Sequence, residues 1–392
     1  MKSLDAFAAA KMATIRAKNL ARSLAPIGRG AGSVIELGTR RMISFSCNDY
    51  LGLTQHPKVV AAAIAATQTF GAGAGASRFI TGNNPLYDEL ESELARLKQT
   101  EAAVVFGSGY LANIGIVPAL AGPADLILGD ELMHACLHAG AKLSRASVQL
   151  FRHNDINHCR AQLGAHRRQR RHALILTEGV FSMDGDRAPV AELKKLADEF
   201  DAWLLVDDAH AFGVINQGLG SCVDEGGTPL GVPLQMGTLS KAVGAYGGYL
   251  CASERVAELI RHRGRSAIFS TALPPGVLAA ALTAVKLIAR DAALVARPLA
   301  LARRFSAELG LKPAESAIVP LILGSAERAL AASAELAKSG FFVSAIRPPT
   351  VAEGTSRLRF TFSAAHLDDD VARLIEAVRQ IGFTPRSAAA AR

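Results

Sequence analysis

The sequence predicts an α/β protein with a largely parallel sheet of seven strands, helices on both of its faces, and a smaller C-terminal α+β lobe. Three observations predict it. From residue 102 onward, short apolar runs (AAVVF, DLILG, VQLF, ALILTEG, WLLVDD) alternate with helical segments. These runs are continuously apolar and do not alternate with polar residues, which marks strands buried on both faces, as in parallel sheets. Beyond FSTALPPG at 269–276, alanine-rich helices replace the alternation, and a mixed segment follows.

Taken in order, the first stretch (MKSLDAFAAAKMATIRAKNLARSL) is basic, alanine-rich and amphipathic. A transit peptide and an N-terminal helix packed on the body both fit it; Asp5 and the lack of a secretory apolar core favour the helix. VIELGTRRMISFSCNDYLGL predicts short strands and a turn near Asn48 and Asp49. Residues 58–70 are helical and end at GAGAGAS, 71–77. A dinucleotide fingerprint needs a strand before its glycines and a helix straight after. Here a helix precedes, and a loop separates the glycines from the next helix, so the nicotinamide reading fails on context.

Strands are expected at 102–106, 125–129, 148–151, 173–179, 203–208, 234–238 and 247–252, with helices near 109–120, 132–145, 155–168 and 189–200. Helices then run to about 309, followed by strands at 317–323, 341–346 and 357–362 and helices at 325–338 and 367–380. The expected organisation is an arm (1–48), a large domain (49–280) and a small C-terminal domain (281–392).

Composition narrows the function. Of 392 residues, 50% are hydrophobic and 20% charged, which excludes disorder. No apolar run reaches the roughly 20 residues that cross a bilayer, so no membrane partner is expected. The net charge of +8 fits a polyanionic ligand. HRRQRRH at 166–172 has no interleaved aromatics and reads as a solvated helix end, so no nucleic-acid partner is expected. The five cysteines show neither CxxC pairs nor zinc spacing, which implies free thiols, a cytoplasmic setting and no metal.

In sheets of this kind ligands sit beyond the carboxyl ends of the strands. Ser108, Gly109, Glu178, Asp207, His210, Thr238 and Lys241 all fall there. Lys241 is the only charged residue between Glu225 and Glu254. A lysine in apolar surroundings is a candidate Schiff-base nucleophile; a surface-loop lysine is the plain alternative. Asp207 could be a loop ion-pair partner and His210 a core histidine. Together with Lys241 they suit pyridoxal 5'-phosphate (PLP), whose pyridinium nitrogen a buried carboxylate keeps protonated.

Nine segments between about 43 and 382 then carry a family resemblance: FSCNDYLGL, GASRFITGN, LYDELESELA, FGSGYLAN, TEGVFSMDGD, VDDAHAFGV, GTLSKAVGAYGG, FSTALPP and RLRFTFSAAH. The chain resembles the α-oxoamine synthases, PLP-dependent acyltransferases of the aspartate-aminotransferase superfamily (fold type I). The resemblance implies that Lys241 carries the cofactor and Asp207 pairs with its ring nitrogen. His210 and Ser182 would lie near its phenolic oxygen, and His134 would stack on the ring. Gly109, Tyr110 and Thr238 would hold the phosphate, with Ser270 and Thr271 supplied by the other subunit of a homodimer. Cys136 stands where the family usually has serine.

Asn48 and Glu178 would lie near the condensing thioester, and Arg359 would take the amino-acid carboxylate as a bidentate pair. From the residues alone Arg359 reads as a surface charge on an edge strand. Glycine-using members carry tyrosine–proline where this chain has Arg347–Pro348. Arg347 therefore stands between two readings, a contact to the far end of the acyl chain and a loop arginine fixing the proline turn. The implied reaction joins L-alanine to an acyl-CoA or acyl carrier protein thioester, with loss of CO2. A glycine-using relative and a PLP aminotransferase are the alternatives on the same fold.

Overall fold

Fourteen strands and thirteen α-helices lie in the described part of the computed structural model, which covers residues 2–18, 20–21, 24–30 and 32–382. The end of the C-terminal lobe (383–392) and parts of the basic N-terminal stretch lie outside the described residues. The strands are β1 (Ile27–Arg29), β2 (Val34–Leu37), β3 (Arg40–Ser44), β4 (Ala102–Phe106), β5 (Leu126–Asp130), β6 (Ser147–Phe151) and β7 (Ala173–Glu178). They continue with β8 (Trp203–Asp207), β9 (Leu234–Thr238), β10 (Gly248–Ala252), β11 (Ile318–Gly324), β12 (Phe341–Phe342), β13 (Ala345–Ile346) and β14 (Ser356–Thr361).

The central sheet has the order β4-β10-β9-β8-β7-β5-β6. Only β10 runs against its neighbours. All seven expected strands are present, shifted by a residue or two at most. Pleating explains their continuous apolar character. Leu174, Leu176 and Leu205 enter one core with Ile116 and Leu137, while Ile175, Leu204 and Val206 enter another with Cys159 and Leu193. The same alternation sends the two aspartates ending the β8 run to opposite faces. Asp207 follows the parity of Leu205 and faces the helix Gly109–Leu120; Asp208 faces away, where Lys98 meets it at 2.7 Å.

Three expectations are corrected. The helix Lys2–Ala17 forms but buries none of its residues; Leu4 and Phe7 are 67% and 60% exposed. Alanine content is enough to make a helix, but it supplies too little apolar side chain to dock one on the body of the same chain. Residues 78–82, read as loop, form a π-helical turn. The segment 341–346, read as one strand, is two: β12 pairs in parallel with β3, and β13 pairs with β14. It crosses from one sheet to another, which stitches the N-terminal arm to the C-terminal lobe. Phe45 of the arm accordingly packs in the lobe core with Phe305, Phe360 and Phe362.

The basic cluster is engaged locally. Arg167 donates to the carbonyls of Phe200 and Asp201, and Arg171 to Asp125. No described helix is long and apolar enough to cross a membrane.

Candidate active site

Strand ends at the carboxyl edge of the central sheet set the site. Glu178 and Asp207 are register partners on β7 and β8, so two buried carboxyl groups lie side by side. Asp207 is 4% exposed. Its Oδ2 accepts from Asn113 Nδ2 at 2.7 Å and its Oδ1 from the Ala209 N–H at 3.0 Å. The loop ion pair belongs to its neighbour Asp208. Burial, with the Asp207 charge alongside, pushes the Glu178 carboxyl well above the usual range. One Glu178 oxygen accepts the Ser182 N–H at 3.2 Å; the other, Oε1, is buried with no hydrogen-bond partner.

Lys241 enters from the turn after β9, its Nζ 2.7 Å from His210 Nε2. Burial brings its pKa down to about 8 against the pull of Asp207 and Glu178. His210 is pushed well below its ordinary value by burial and by the cations of Lys241 and Arg359. A neutral His210 accepts at Nε2 and therefore carries its proton on Nδ1, 2.6 Å from Tyr50 Oη. Tyr50 Oη in turn meets Asn48 Oδ1 at 3.3 Å. Arg359 donates to Asn48 Oδ1 at 3.2 Å and to the Ser182 carbonyl at 2.5 Å, with Tyr50 Oη at 3.5 Å. Lys241, His210, Tyr50, Asn48 and Arg359 thus form one connected group.

Arg359 corrects its reading as an edge-strand surface charge. It is 6% exposed, and β14 is the middle strand of the sheet β11-β14-β13. Arg347 lies just past β13, whose register sets Ile346 against Arg357. That places it beside the position of Ser356, three residues from Arg359 and roughly 10 Å along the strand. Thr271, next to Ser270, bridges to Ser77 at the end of the glycine run. Among the described residues no hydrogen bond joins these two to the Lys241 group.

The helix Gly109–Leu120 begins over the end of β9. Ser108 caps it by accepting the Leu111 N–H at 3.1 Å. The helix itself leaves the amides of Gly109 and Tyr110 free, which makes a ready anion site. A Cβ on Gly109 would stand 3.3 Å from Thr238 Oγ1. Thr238 already bonds to the Gly247 carbonyl and to Ser240 Oγ, each at 2.8 Å. Ser240 is exposed and was not expected in the site.

These features fit PLP. There is a half-buried lysine of lowered pKa, a buried carboxylate for a ring nitrogen, an orphaned carboxyl oxygen and a glycine-spaced helix start for a phosphate. Tyr50 and Asn113 are further residues of the site that the sequence reading left without a role. Asn113 had a signal, being the only amide in an otherwise apolar helix; Tyr50 had none beyond its place in FSCNDYLGL.

Fold and site together define a PLP-dependent enzyme of fold type I. A family model described as aminotransferase class I and II matches residues 40–378. The 8-amino-7-oxononanoate synthase of Methylocella silvestris is 61% identical over 344 residues, covering 88% of this chain and 98% of that one. Among solved structures, the serine palmitoyltransferase of Sphingomonas wittichii superposes with a TM-score of 0.89 at 31% identity, covering 98% of this chain and 99% of that one. The 8-amino-7-oxononanoate synthase of Francisella tularensis gives 0.73 at 26%, covering 86% and 97%. The chain belongs to the class I and II aminotransferase family and, within it, to the 8-amino-7-oxononanoate synthases.

Proposed function

We propose that this chain condenses L-alanine with a pimeloyl thioester, on CoA or acyl carrier protein, to give 8-amino-7-oxononanoate, free thiol and CO2 in biotin biosynthesis. The observation that carries the reading is the lowered-pKa Lys241 amine beside neutral His210, within the group that ends at buried Arg359. A bond forms between alanine Cα and the acyl carbon as Cα loses its proton, the thiol leaves with the electron pair of its C–S bond, and the alanine carboxyl departs as CO2, leaving its bonding pair on Cα, which takes up a proton.

Bound here, PLP supplies an aldehyde for an amine and an electron sink for charge developing at the alanine Cα. Lys241 would hold it, and its freed Nζ would take the Cα proton. Asp207 would keep the ring nitrogen protonated, Ser182 and His210 would face the phenolic oxygen, and His134 would cover the ring. Gly109, Tyr110 and Thr238 would hold the phosphate, with Ser270 and Thr271 from the second subunit of a homodimer. Arg359 would receive the alanine carboxylate, as its guanidinium already holds two oxygen acceptors. Asn48 and Glu178 would border the thioester, and Arg347 would meet the far carboxylate of the pimeloyl chain.

A second reading, serine with a long-chain acyl thioester, is favoured by the higher TM-score to serine palmitoyltransferase. Against it stands the 61% identity to the 8-amino-7-oxononanoate synthase of Methylocella silvestris, about twice that to the serine palmitoyltransferase. Thiol release measured over a grid of acyl-CoAs and amino acids separates the readings. Turnover with pimeloyl-CoA and alanine is expected; turnover only with palmitoyl-CoA and serine, or with acetyl-CoA and glycine, would reject the proposal.

A further inference from the structure

We propose that Cys136 and Asn113 are positioning residues that fix His134 as the neutral tautomer protonated on Nε2, by relaying the carboxylate of Asp207 to Nδ1 of the imidazole. The geometry settles each link in turn. Asn113 is fully buried, and its Nδ2 lies 2.7 Å from Asp207 Oδ2. A carboxylate oxygen only accepts, so the amide must present its NH2 there. The reverse orientation would set two acceptors together.

The same NH2 donates to Cys136 Sγ at 3.1 Å. With its acceptor capacity used on that side, the sulfur has its own proton to give, and His134 Nδ1 lies 2.8 Å away. The thiol keeps that proton, because burial pushes the Cys136 pKa up to about 12. Nδ1 also receives the Cys136 backbone N–H at 3.3 Å, since His134 caps the helix Ala135–Ser144. Two donors converge on Nδ1, so a ring proton there would oppose both. The proton is left on Nε2.

Burial lowers the His134 pKa, the Asp207 charge opposes this, and Lys241 and the neighbouring His138 lower it further. The relay adds a specific term to these: S–H donation stabilises the neutral ring, so losing it raises the titration midpoint. The inference rests on side-chain geometry and stands apart from the substrate reading. A thiol suits the task as a donor that also accepts; serine does the same, alanine neither.

The test uses full-length protein labelled with 15N in histidine, without and then with PLP, and His134 assigned by its loss in H134Q. The wild type should show the proton on Nε2. The His134 midpoint should rise by about half to one pH unit in C136A, the worth of one ordinary hydrogen bond, and should stay near wild type in C136S. A wild-type proton on Nδ1, an unmoved or lowered midpoint in C136A, or a C136S shift as large as that of C136A would overturn the proposal.

Discussion

Lys241 Nζ donates to His210 Nε2 across 2.7 Å, and the same imidazole reaches Tyr50 Oη at 2.6 Å through its other nitrogen. In the proposed reaction the neutral histidine would serve as acceptor for an amine that loses and regains protons. Replacing it with alanine leaves the amine without that acceptor. His210→Ala is expected to lower kcat by about 10²-fold, in the range of a positioned acid–base group, with KM changed much less, measured by steady-state thiol release.

The Lys241 amine attacks only when neutral. With its pKa at about 8, capture of PLP by cofactor-free protein should speed up as pH rises and level off just above 8. An unperturbed lysine would keep accelerating to about 10.4. Stopped-flow absorbance across that range distinguishes the two.

Asp207 and Asp208 are adjacent in sequence and face opposite sides of the sheet, one toward Asn113 and the other toward Lys98. Asp207→Asn removes the carboxylate facing the proposed ring nitrogen and is expected to cost about 10²-fold or more in kcat and, because an amide has one acceptor oxygen for the two donors Asn113 and Ala209, about 1–3 kcal/mol of stability. Paired kinetic and denaturation measurements on the one variant check both halves.

On the other face of β8, Lys98 and Asp208 are 2% and 0% exposed, and Lys98 Nζ also donates to the Leu219 carbonyl at 2.6 Å. Lys98→Met strands a buried carboxylate and should destabilise by about 3–5 kcal/mol. Lys98→Met with Asp208→Asn should recover much of that loss. Urea denaturation of the single and double variants reads the difference.

His153 lies between Asp130 Oδ1 at 3.1 Å and Asp186 Oδ2 at 2.7 Å. Despite the opposing effect of burial, the two carboxylates raise its pKa to about 10. The folded value is above the unfolded one, so its contribution is complete below about pH 6.5 and lost as pH climbs through 10. It is worth on the order of a few kcal/mol at most. Stability should fall across that window in the wild type, and His153→Gln should flatten the fall, as followed by denaturation at a series of pH values.

The central sheet was legible because burial on both faces leaves little choice but solid apolar runs, as in ALILTEG and WLLVDD. Lys241 was legible for the converse reason, a lone charge in an apolar stretch. Arg359 was not: RLRF alternates charge with apolar residues, and only tertiary context shows that both of its arginines are inside. Tyr50 meets His210 across 160 residues of chain, and no local period encodes such a contact. Lys98 closes an amphipathic helix where a solvated lysine is expected, and its burial follows from two distant partners, Asp208 and the Leu219 carbonyl. The helix Lys2–Ala17 was legible as a helix; that it buries none of its residues on this chain was not, since propensity acts within a segment and docking needs a surface to meet.

Borohydride reduction of the PLP-loaded protein, followed by peptide mass spectrometry, tests the central claim most directly. A reduced pyridoxyl adduct on the peptide containing Lys241, absent in Lys241→Ala, is the result expected. An adduct on another lysine, or one that persists in Lys241→Ala, would contradict the account.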